Sequence, residues 1–478
     1  MSVSEALSTG DFSASEPSCD ETGTLQSAID AAHAQGGGRV DVLPGRHRIG
    51  SLQLKSGVEL FLEAGATLVG STNEADYKAD SILWAKDARD IALSGRGSIE
   101  GAGSAFADKK GFRPYNIHFQ RCRGVRISDV RLTKSSSWMQ RYSRCDDVWV
   151  RGIRVFNFDN YNADGIDFVS CRNVIMSDSV IHSDDDAFCL KTESDEPCEN
   201  ITVTNCVFGS HCNAIKVGTE SYGDFRNITI SNCVVAPPPC DKVWYGRREG
   251  HGGIVLGVVD GGTLDNVMIS QISIRGTLCP LFLRLGNRGR PYETNTVKPT
   301  GRFRRVVLSN IQAVEGGCFG SEITGIPGHP IHNLTLDNVR LSFLGGGPLG
   351  PESNGGVPVA EIPVSEHEEG YPRPGMHGCL PSYGLFIRHV EGLNIRNLEL
   401  SCEIPESRTA LLMNDIHDLR MTDLRMDAPE KSLPPMRLDR VRSAALDRLT
   451  VRPDTNEKLV LGADCDQVTL DGALLRPA

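Results

Sequence analysis

The chain has 478 residues, and its 50 Lys and Arg against 61 Asp and Glu give a formal net charge of −11. An acidic chain argues against wholesale binding to nucleic acid or to an anionic membrane. No apolar run approaches the ~18 residues of a membrane helix. Residues 1–18 lack the basic-then-apolar pattern of a secretory signal, so we expect a cytoplasmic location.

The fifteen cysteines are an odd number, and most lie inside apolar, strand-like runs. Cysteine in such runs behaves as a small buried hydrophobe, so a disulfide framework is not predicted. The chain contains no Cys-x-x-Cys pair, no phosphate loop and no dinucleotide fingerprint. We therefore predict neither a metal site nor a cofactor.

The first predicted element is a short amphipathic helix near the N-terminus. Thr22–His33 has the apolar spacing of such a helix, and the Gly-rich segment after it leads into the first strands. A solenoid needs a cap over the exposed apolar end of its first coil. We therefore interpret residues 1–50 as the N-terminal cap region.

One unit of about eleven residues then recurs to the end of the chain. It has a turn-like entry, an alternating apolar run, a polar break and a second short apolar run, with clear copies starting at Cys122, Cys145, Cys171, Cys198, Phe225, Leu264, Phe303, Ile331, Val390, Ile416, Val441 and Cys465. The apolar period of two indicates strands rather than helices. Such short strands can bury their apolar side only by stacking on the next coil.

This repeat predicts an all-β fold, a right-handed parallel β-helix of about thirteen coils that forms a single domain over residues 1–478. The longer intervals after Phe225, Leu264 and Ile331 are predicted to be single coils with inserted loops. The longest insertion, residues 342–383, is rich in Gly and Pro. Loops of that length are functional or disordered, and we favour a loop that packs over a substrate groove.

Three coils break the pattern with charge. Asp164 lies in Asn-Ala-Asp-Gly-Ile-Asp, Asp184, Asp185 and Asp186 follow in the next coil, and the coil after that has His211, Asn213 and Lys216. Like charges on neighbouring rungs disfavour each other's ionisation, which a purely structural repeat has no reason to accept. Glycoside hydrolysis does need a protonated carboxyl beside a carboxylate that activates water. The alternative is that these residues serve only as bend formers.

The same residues resemble a known family. Asn162-Ala-Asp-Gly-Ile-Asp, with Asp185-Asp186 starting 21 residues after Asp164, is similar to the paired motifs of glycoside hydrolase family 28, the polygalacturonase family. The chain departs from the family pattern at Asn213, which stands in the register of the Gly-His-Gly histidine, and residues 280–290 and 371–374 resemble a divergent bacterial branch of the family. The resemblance implies a right-handed parallel β-helix and inversion, with Asp185 as general acid and Asp164 and Asp186 activating water.

Substrate-binding candidates surround this motif region in the sequence. Segment 236–305 has eleven basic and five acidic residues, which would suit an anionic sugar such as a uronate; the alternative is a solvated loop face. Trp138 could stack on a sugar ring or be buried. The predicted substrate-binding residues are His211, Asn213, Lys216, Lys191, His251, Arg284, Arg288 and Trp138.

The sequence therefore predicts an inverting, exo-acting glycosidase whose partner is a uronate-containing, pectin-type oligosaccharide. The alternatives are a polysaccharide lyase or a cyclising glycosyl transferase on the same fold, or a non-catalytic carbohydrate-binding solenoid. Asn200, Asn227 and Asn333 match the N-glycosylation pattern, but each lies at the strand entry of a repeat. The sugar, the linkage and the oligomeric state stay open.

Overall fold

A computed structural model describes residues 20–108, 110–347, 362–430 and 433–476. This part of the chain divides into two compact units. The first contains residues 20–188, 208–211 and 237–248, and the second contains the other described residues. Each unit has its own buried Leu, Ile, Val and Phe side chains. The single domain over residues 1–478 stays a prediction.

Strands make up most of the described chain. One helix, α1 (Thr22–Ala34), is followed by β1 (Gly38–Val42), β2 (Gly45–Ile49), β3 (Leu52–Gln53), β4 (Val58–Leu62), β5 (Ala66–Gly70), β6 (Ser81–Lys86), β7 (Arg89–Gly95), β8 (Ser98–Glu100), β9 (Tyr115–Gln120), β10 (Arg123–Ser128), β11 (Arg131–Thr133), β12 (Gln140–Ser143), β13 (Asp146–Arg151), β14 (Arg154–Asn157), β15 (Ile166–Val169), β16 (Arg172–Ser177), β17 (Val180–Ser183), β18 (Phe188–Thr192), β19 (Cys198–Thr204), β20 (Val207–Ser210), β21 (Asn213–Ser221), β22 (Phe225–Val235), β23 (Gly252–Val258), β24 (Thr263–Arg275), β25 (Cys279–Leu285), β26 (Arg302–Gly316), β27 (Ser321–Thr324), β28 (Ile331–Phe343), β29 (Ser382–Cys402), β30 (Thr409–Asp427), β31 (Met436–Arg452), β32 (Leu459–Leu461), β33 (Asp466–Leu470) and β34 (Ala473–Leu474).

The helix α1 caps the first coils, as predicted. It buries Leu25 and Ile29 and packs on β1, β3 and β4. Gln26 ties it to the end of β3, because its side chain exchanges two hydrogen bonds with the backbone of Gln53, at 2.7 and 3.2 Å. Among the described residues α1 is the only α-helix, and none of them forms a helix long and apolar enough to cross a bilayer.

In the first unit the repeat starts stack in register. The amide of Asp146 donates to the Cys122 carbonyl, and the amide of Arg172 donates to the Cys145 carbonyl, both at 2.9 Å. Strands β10, β13 and β16 run parallel, with Val125 opposite Val148 and Val148 opposite Val174. These valines are buried, so the alternating positions of the repeat form the interior, as predicted.

In the second unit the long intervals are single coils with insertions. Phe225 lies opposite Leu264, and Leu264 lies opposite Phe303, although each pair is 39 residues apart. Ile331 pairs with Val390 across the 59-residue interval. This confirms that β28 and β29 are neighbouring rungs joined by the longest insertion, of which residues 348–361 lie outside the described part of the chain.

Asparagine at the bends of the repeat has a conformational reason. Asn200, Asn227 and Asn266 have φ of 58°, 55° and 56°, the left-handed region that Asn tolerates better than most residues. Their side chains also stack, since Asn227 donates to Asn200 at 3.1 Å and Asn266 donates to Asn227 at 2.9 Å. We call this stack the asparagine ladder; it ties three rungs of the second unit together.

Candidate active site

The backbone of the first unit places Asp164 beside Asp186. Asp164 precedes β15, and its carbonyl accepts a hydrogen bond from the Met139 amide at 2.8 Å. On the other side, the Gly165 amide donates to the Asp186 carbonyl, also at 2.8 Å. A Cβ at Gly165 would lie 2.2 Å from Ile181 Cγ2. Only glycine therefore allows the two Asp-bearing turns to approach this closely.

Three aspartates at these two turns have little exposed surface. Asp164, Asp185 and Asp186 have 2%, 7% and 3% of their surface exposed. A carboxylate oxygen of Asp164 and one of Asp186 lie within 4.8 Å of each other. The structure thus brings together, in one unit, the three residues predicted to be catalytic; their chemical roles stay predictions.

The carboxylate of Asp185 has a fixed orientation. Its Oδ1 accepts from the Asp186 amide at 3.0 Å, and its Oδ2 lies 3.5 Å from Nδ2 of Asn162. Arg113 donates to Oδ1 of Asn162 at 3.1 Å and to the Tyr161 carbonyl at 2.9 Å. Arg113 and Asn162 therefore form a relay that orients Asp185. Sequence analysis missed Arg113, which lies outside the motif in an earlier coil.

The fourth aspartate has a different partner. Asp184 accepts through Oδ1 from Nδ1 of His211 at 2.9 Å and from the Trp244 amide at 2.8 Å. Nε2 of His211 pairs with the Cys240 carbonyl at 3.0 Å, and the side chains of both Asp184 and His211 are fully buried. The predicted substrate contact of His211 is therefore corrected: with both ring nitrogens engaged in the interior, it positions segment 237–248.

The other predicted binding residues, except Trp138, belong to the second unit. Lys191, Asn213 and Lys216 are nearly buried, with 3%, 6% and 5% exposure, and His251 is half-buried. Nζ of Lys216 lies 3.5 Å from the hydroxyl of Tyr371, a half-exposed ring of the inserted loop. Their role in substrate binding stays a prediction.

Arg284 anchors the inserted loop, which corrects its predicted role as a substrate ligand. Its side chain is fully buried and donates to the carbonyls of Glu366 and His367 at 2.7 and 3.1 Å, and to Thr324 and Gly325 at 3.1 Å. Burial, together with the nearby positive charge of Arg388, lowers the pKa of Arg284 to about 10. No surface of this guanidinium is left exposed to meet a sugar.

Arg288 is held by Asp260 in a bidentate pair, with distances of 2.9 Å from Nε and 2.6 Å from Nη2. Burial disfavours its charge, but the hydrogen bonds and charge of Asp260 outweigh burial and raise the pKa of Arg288. Only 15% of its side chain is exposed. Asp260 is therefore a buried counter-ion of Arg288. The guanidinium of Arg288 also lies 5.7 Å from the centre of the Tyr371 ring.

The described part of the inserted loop, residues 362–381, packs firmly on the second unit. Met376 packs against a cluster formed by Val255, Cys279 and Phe282. Glu322, buried in the same region, accepts from the Gly375 amide at 3.3 Å and pairs with His377. The loop is thus an ordered part of the second unit; its predicted position over a substrate groove stays a prediction.

Comparison with known proteins identifies the family. The family model of the glycosyl hydrolases family 28 matches residues 39–278, half of the chain. The chain belongs to this family. The family 28 region includes Asp164, Asp185 and Asp186 and ends just before β25.

Two curated relatives are similar over shorter stretches. A probable polygalacturonase from Arabidopsis thaliana is 27% identical over 28% of this chain and 30% of that protein. An exo-poly-alpha-D-galacturonosidase from Dickeya chrysanthemi is 26% identical over 35% of this chain and 38% of that protein. The family 28 chain therefore matches about a third of the length of these relatives, as expected for a divergent branch.

Solved structures share the fold. The exopolygalacturonase of Thermotoga maritima is 19% identical, with a TM-score of 0.59 over 68% of this chain and 84% of that one. The family 28 exopolygalacturonase of Yersinia enterocolitica is 16% identical, with a TM-score of 0.59 over 96% and 77%. The likeness confirms the predicted right-handed parallel β-helix.

Proposed function

We propose that this family 28 protein is a glycosidase that hydrolyses uronate-containing, pectin-type oligosaccharides with inversion, acting from a chain end. The observation that carries the proposal is that three nearly buried aspartates lie on adjoining turns, with carboxylate oxygens of Asp164 and Asp186 within 4.8 Å of each other. A buried cluster of like charges costs stability. Acid–base catalysis at a glycosidic bond requires carboxyl groups close together, which explains why the protein would retain them.

In the proposed mechanism Asp185 is the general acid. It donates its proton to the glycosidic oxygen while the bond between that oxygen and the anomeric carbon breaks. Asp164 and Asp186 together accept a proton from a water molecule, whose oxygen attacks the anomeric carbon from the opposite face. The Arg113–Asn162 relay keeps Asp185 oriented toward the glycosidic oxygen in this mechanism.

Two observations support the finer parts of the proposal. The curated relative from Dickeya chrysanthemi is named for exo action on poly-alpha-D-galacturonate, which supports a uronate substrate. The inserted loop is long, and its described residues 362–381 are anchored by buried Arg284. A loop held in this way would block one end of a groove. Exo action would follow from such a block.

The experiment that tests the proposal is digestion of oligogalacturonides of defined length, with products separated by size and the anomeric proton followed by NMR in fresh product. We expect monomer or dimer to accumulate from the first time point and the anomeric configuration to be inverted. Intermediate sizes would refute exo action, and retention would refute the assigned roles. Ultraviolet-absorbing unsaturated products would identify a lyase instead.

A further inference from the structure

We propose that Trp138 and Arg141 form a subsite for a uronate sugar one rung N-terminal of the catalytic carboxylates. The proposal rests on the proposed function and names the residues that bind the carboxylate of the substrate. Trp138 immediately precedes Met139, whose amide donates to the Asp164 carbonyl. Neighbouring rungs are about 4.8 Å apart, so a sugar on Trp138 would adjoin a sugar at the carboxylates.

The side chains at this position form an aromatic and cationic surface. The Arg141 guanidinium lies 5.1 Å from the centre of the Trp138 ring, and the rings of Trp138 and Tyr115 are 6.0 Å apart. All three side chains are half-buried, so each retains exposed surface. An aromatic face binds the apolar face of a sugar, and a guanidinium fork pairs with a carboxylate. Together these groups fit an acidic sugar better than a neutral one.

The register leads this surface toward the catalytic motif. His118 on β9 lies opposite Arg141 on β12, which lies opposite Asp167 on β15, three residues after Asp164. His118, Arg141 and Asp167 therefore occupy one column on three successive rungs. Because Asp167 follows Asp164 by three residues, the column passes through the rung that carries Asp164.

Arg141 is held in place by its neighbours. Its Nε donates to the Ser143 hydroxyl at 2.9 Å, and its guanidinium hydrogen-bonds to the Tyr115 hydroxyl. His118 next to it pairs with Asp80, 3.0 Å from Nδ1, and the positive charge of Arg141 also interacts with Asp80. The guanidinium is thus positioned before substrate arrives, which reduces the entropy lost on binding.

The first unit offers a matched control. Arg126 on β10 and Trp149 on β13 lie opposite each other, with the guanidinium 5.2 Å from the Trp149 ring centre. This pair has nearly the same geometry as Arg141 and Trp138, and Trp149 is 42% exposed. These two residues lie on β10 and β13, which belong to a different column of stacked strands from β12 and β15. A general effect of removing a surface Arg–Trp pair would therefore appear equally at both positions.

The test compares Arg141→Gln and Trp138→Leu with Arg126→Gln and Trp149→Leu in the full chain. KM and kcat are measured with oligogalacturonides and with the same oligomers reduced to neutral galactosides, and binding of both is measured by calorimetry. We expect Arg141→Gln to weaken the uronate by about 10- to 100-fold with little effect on the neutral oligomer. Trp138→Leu should weaken both, and the control pair should change neither.

Equal losses on charged and neutral oligomers in Arg141→Gln, or equal effects in the control pair, would overturn the subsite. Arg141→Lys retains the charge without the fork, so its uronate affinity should fall between wild type and Arg141→Gln. If no oligomer is cleaved but uronate binding still depends on Arg141, the proposed function fails and the subsite stands. If uronate binding is absent as well, the subsite is refuted.

Discussion

The general acid is the sharpest point at which the proposed chemistry can be tested. Asp185→Asn removes the proton donor and keeps the shape of the side chain. The variant retains Oδ1 as acceptor for the Asp186 amide, which lies 3.0 Å away, and places an amide nitrogen at the longer 3.5 Å contact with Asn162. The Asp185 carbonyl keeps its hydrogen bonds from the hydroxyls of Ser183 and Ser210. The fold should therefore tolerate the substitution.

The expected kinetic loss is large by comparison. Removing a general acid lowers kcat by about 10²- to 10⁴-fold, equivalent to about 3 to 5 kcal/mol of barrier. An aryl glycoside with an acidic phenol as leaving group needs little protonation, so its cleavage should fall far less. Turnover of both substrates and thermal unfolding are measured together for wild type and Asp185→Asn.

Asp178→Asn supplies the control, because Asp178 is another aspartate of the first unit and lies on a bend, with φ of 55°. It should keep near wild-type activity on both substrates. Equal loss on the natural sugar and on the activated aryl glycoside would refute the assignment of Asp185 as proton donor. Near-full turnover of the natural substrate by Asp185→Asn would refute it as well.

Three further predictions concern the loop, the pH dependence and metal independence. Arg284→Met should lower the free energy of unfolding by at least about 3 kcal/mol, since it leaves several buried acceptors without a donor, and should expose residues 362–381 to limited proteolysis; Arg302→Met, at an exposed position, should do neither. Burial lowers the pKa of His182 to about 4 from 6.5, so below pH 6.5 the unfolded chain binds a proton that the folded chain does not. The free energy of unfolding is therefore unaffected by His182 above pH 6.5 and falls by at most about 3 kcal/mol as the pH is lowered toward 4. Urea unfolding at both pH values should show this loss in wild type and not in His182→Gln. Activity should be unchanged in excess chelator, because the proposed mechanism uses carboxyl groups alone; a loss restored by Ca²⁺ would contradict it.

The periodic parts of this protein are readable from the sequence for a physical reason. A coil of the repeat buries residues such as Val148 and Val174 only in one register, so the period of the apolar residues determines the stacking. The adjoining positions of Asp164, Asp185 and Asp186 follow from the same repeat, because Asp185 and Asp186 occupy fixed offsets within a coil, whereas their catalytic roles stay predictions. In a solenoid, the position of a residue within the repeat determines its position in the folded structure.

The inserted segments lie outside that logic. Arg284 stands in a basic segment that predicts an anion site, but its partners are the carbonyls of Glu366 and His367, about 80 residues later in an aperiodic loop. His211 likewise occupies the coil offset of Asp184, which predicts their contact, while its burial depends on Trp244 and Cys240 in another insertion. A cluster of basic residues therefore predicts that their side chains form polar contacts, but it does not predict with which groups.

The asparagine ladder has a consequence for how this protein can be produced. Asn200 and Asn227 each begin an Asn-x-Thr acceptor site, yet they pair through the side-chain amides that a glycan would modify. Oligosaccharyl transfer in a eukaryotic secretory pathway acts on the nascent chain, before these rungs can stack. A sugar on Nδ2 of Asn227 would remove its bond to Asn200 and place a bulky group between two rungs. We expect expression in a host without this modification to preserve the stack. Glycosylation during secretion from yeast should instead impair folding.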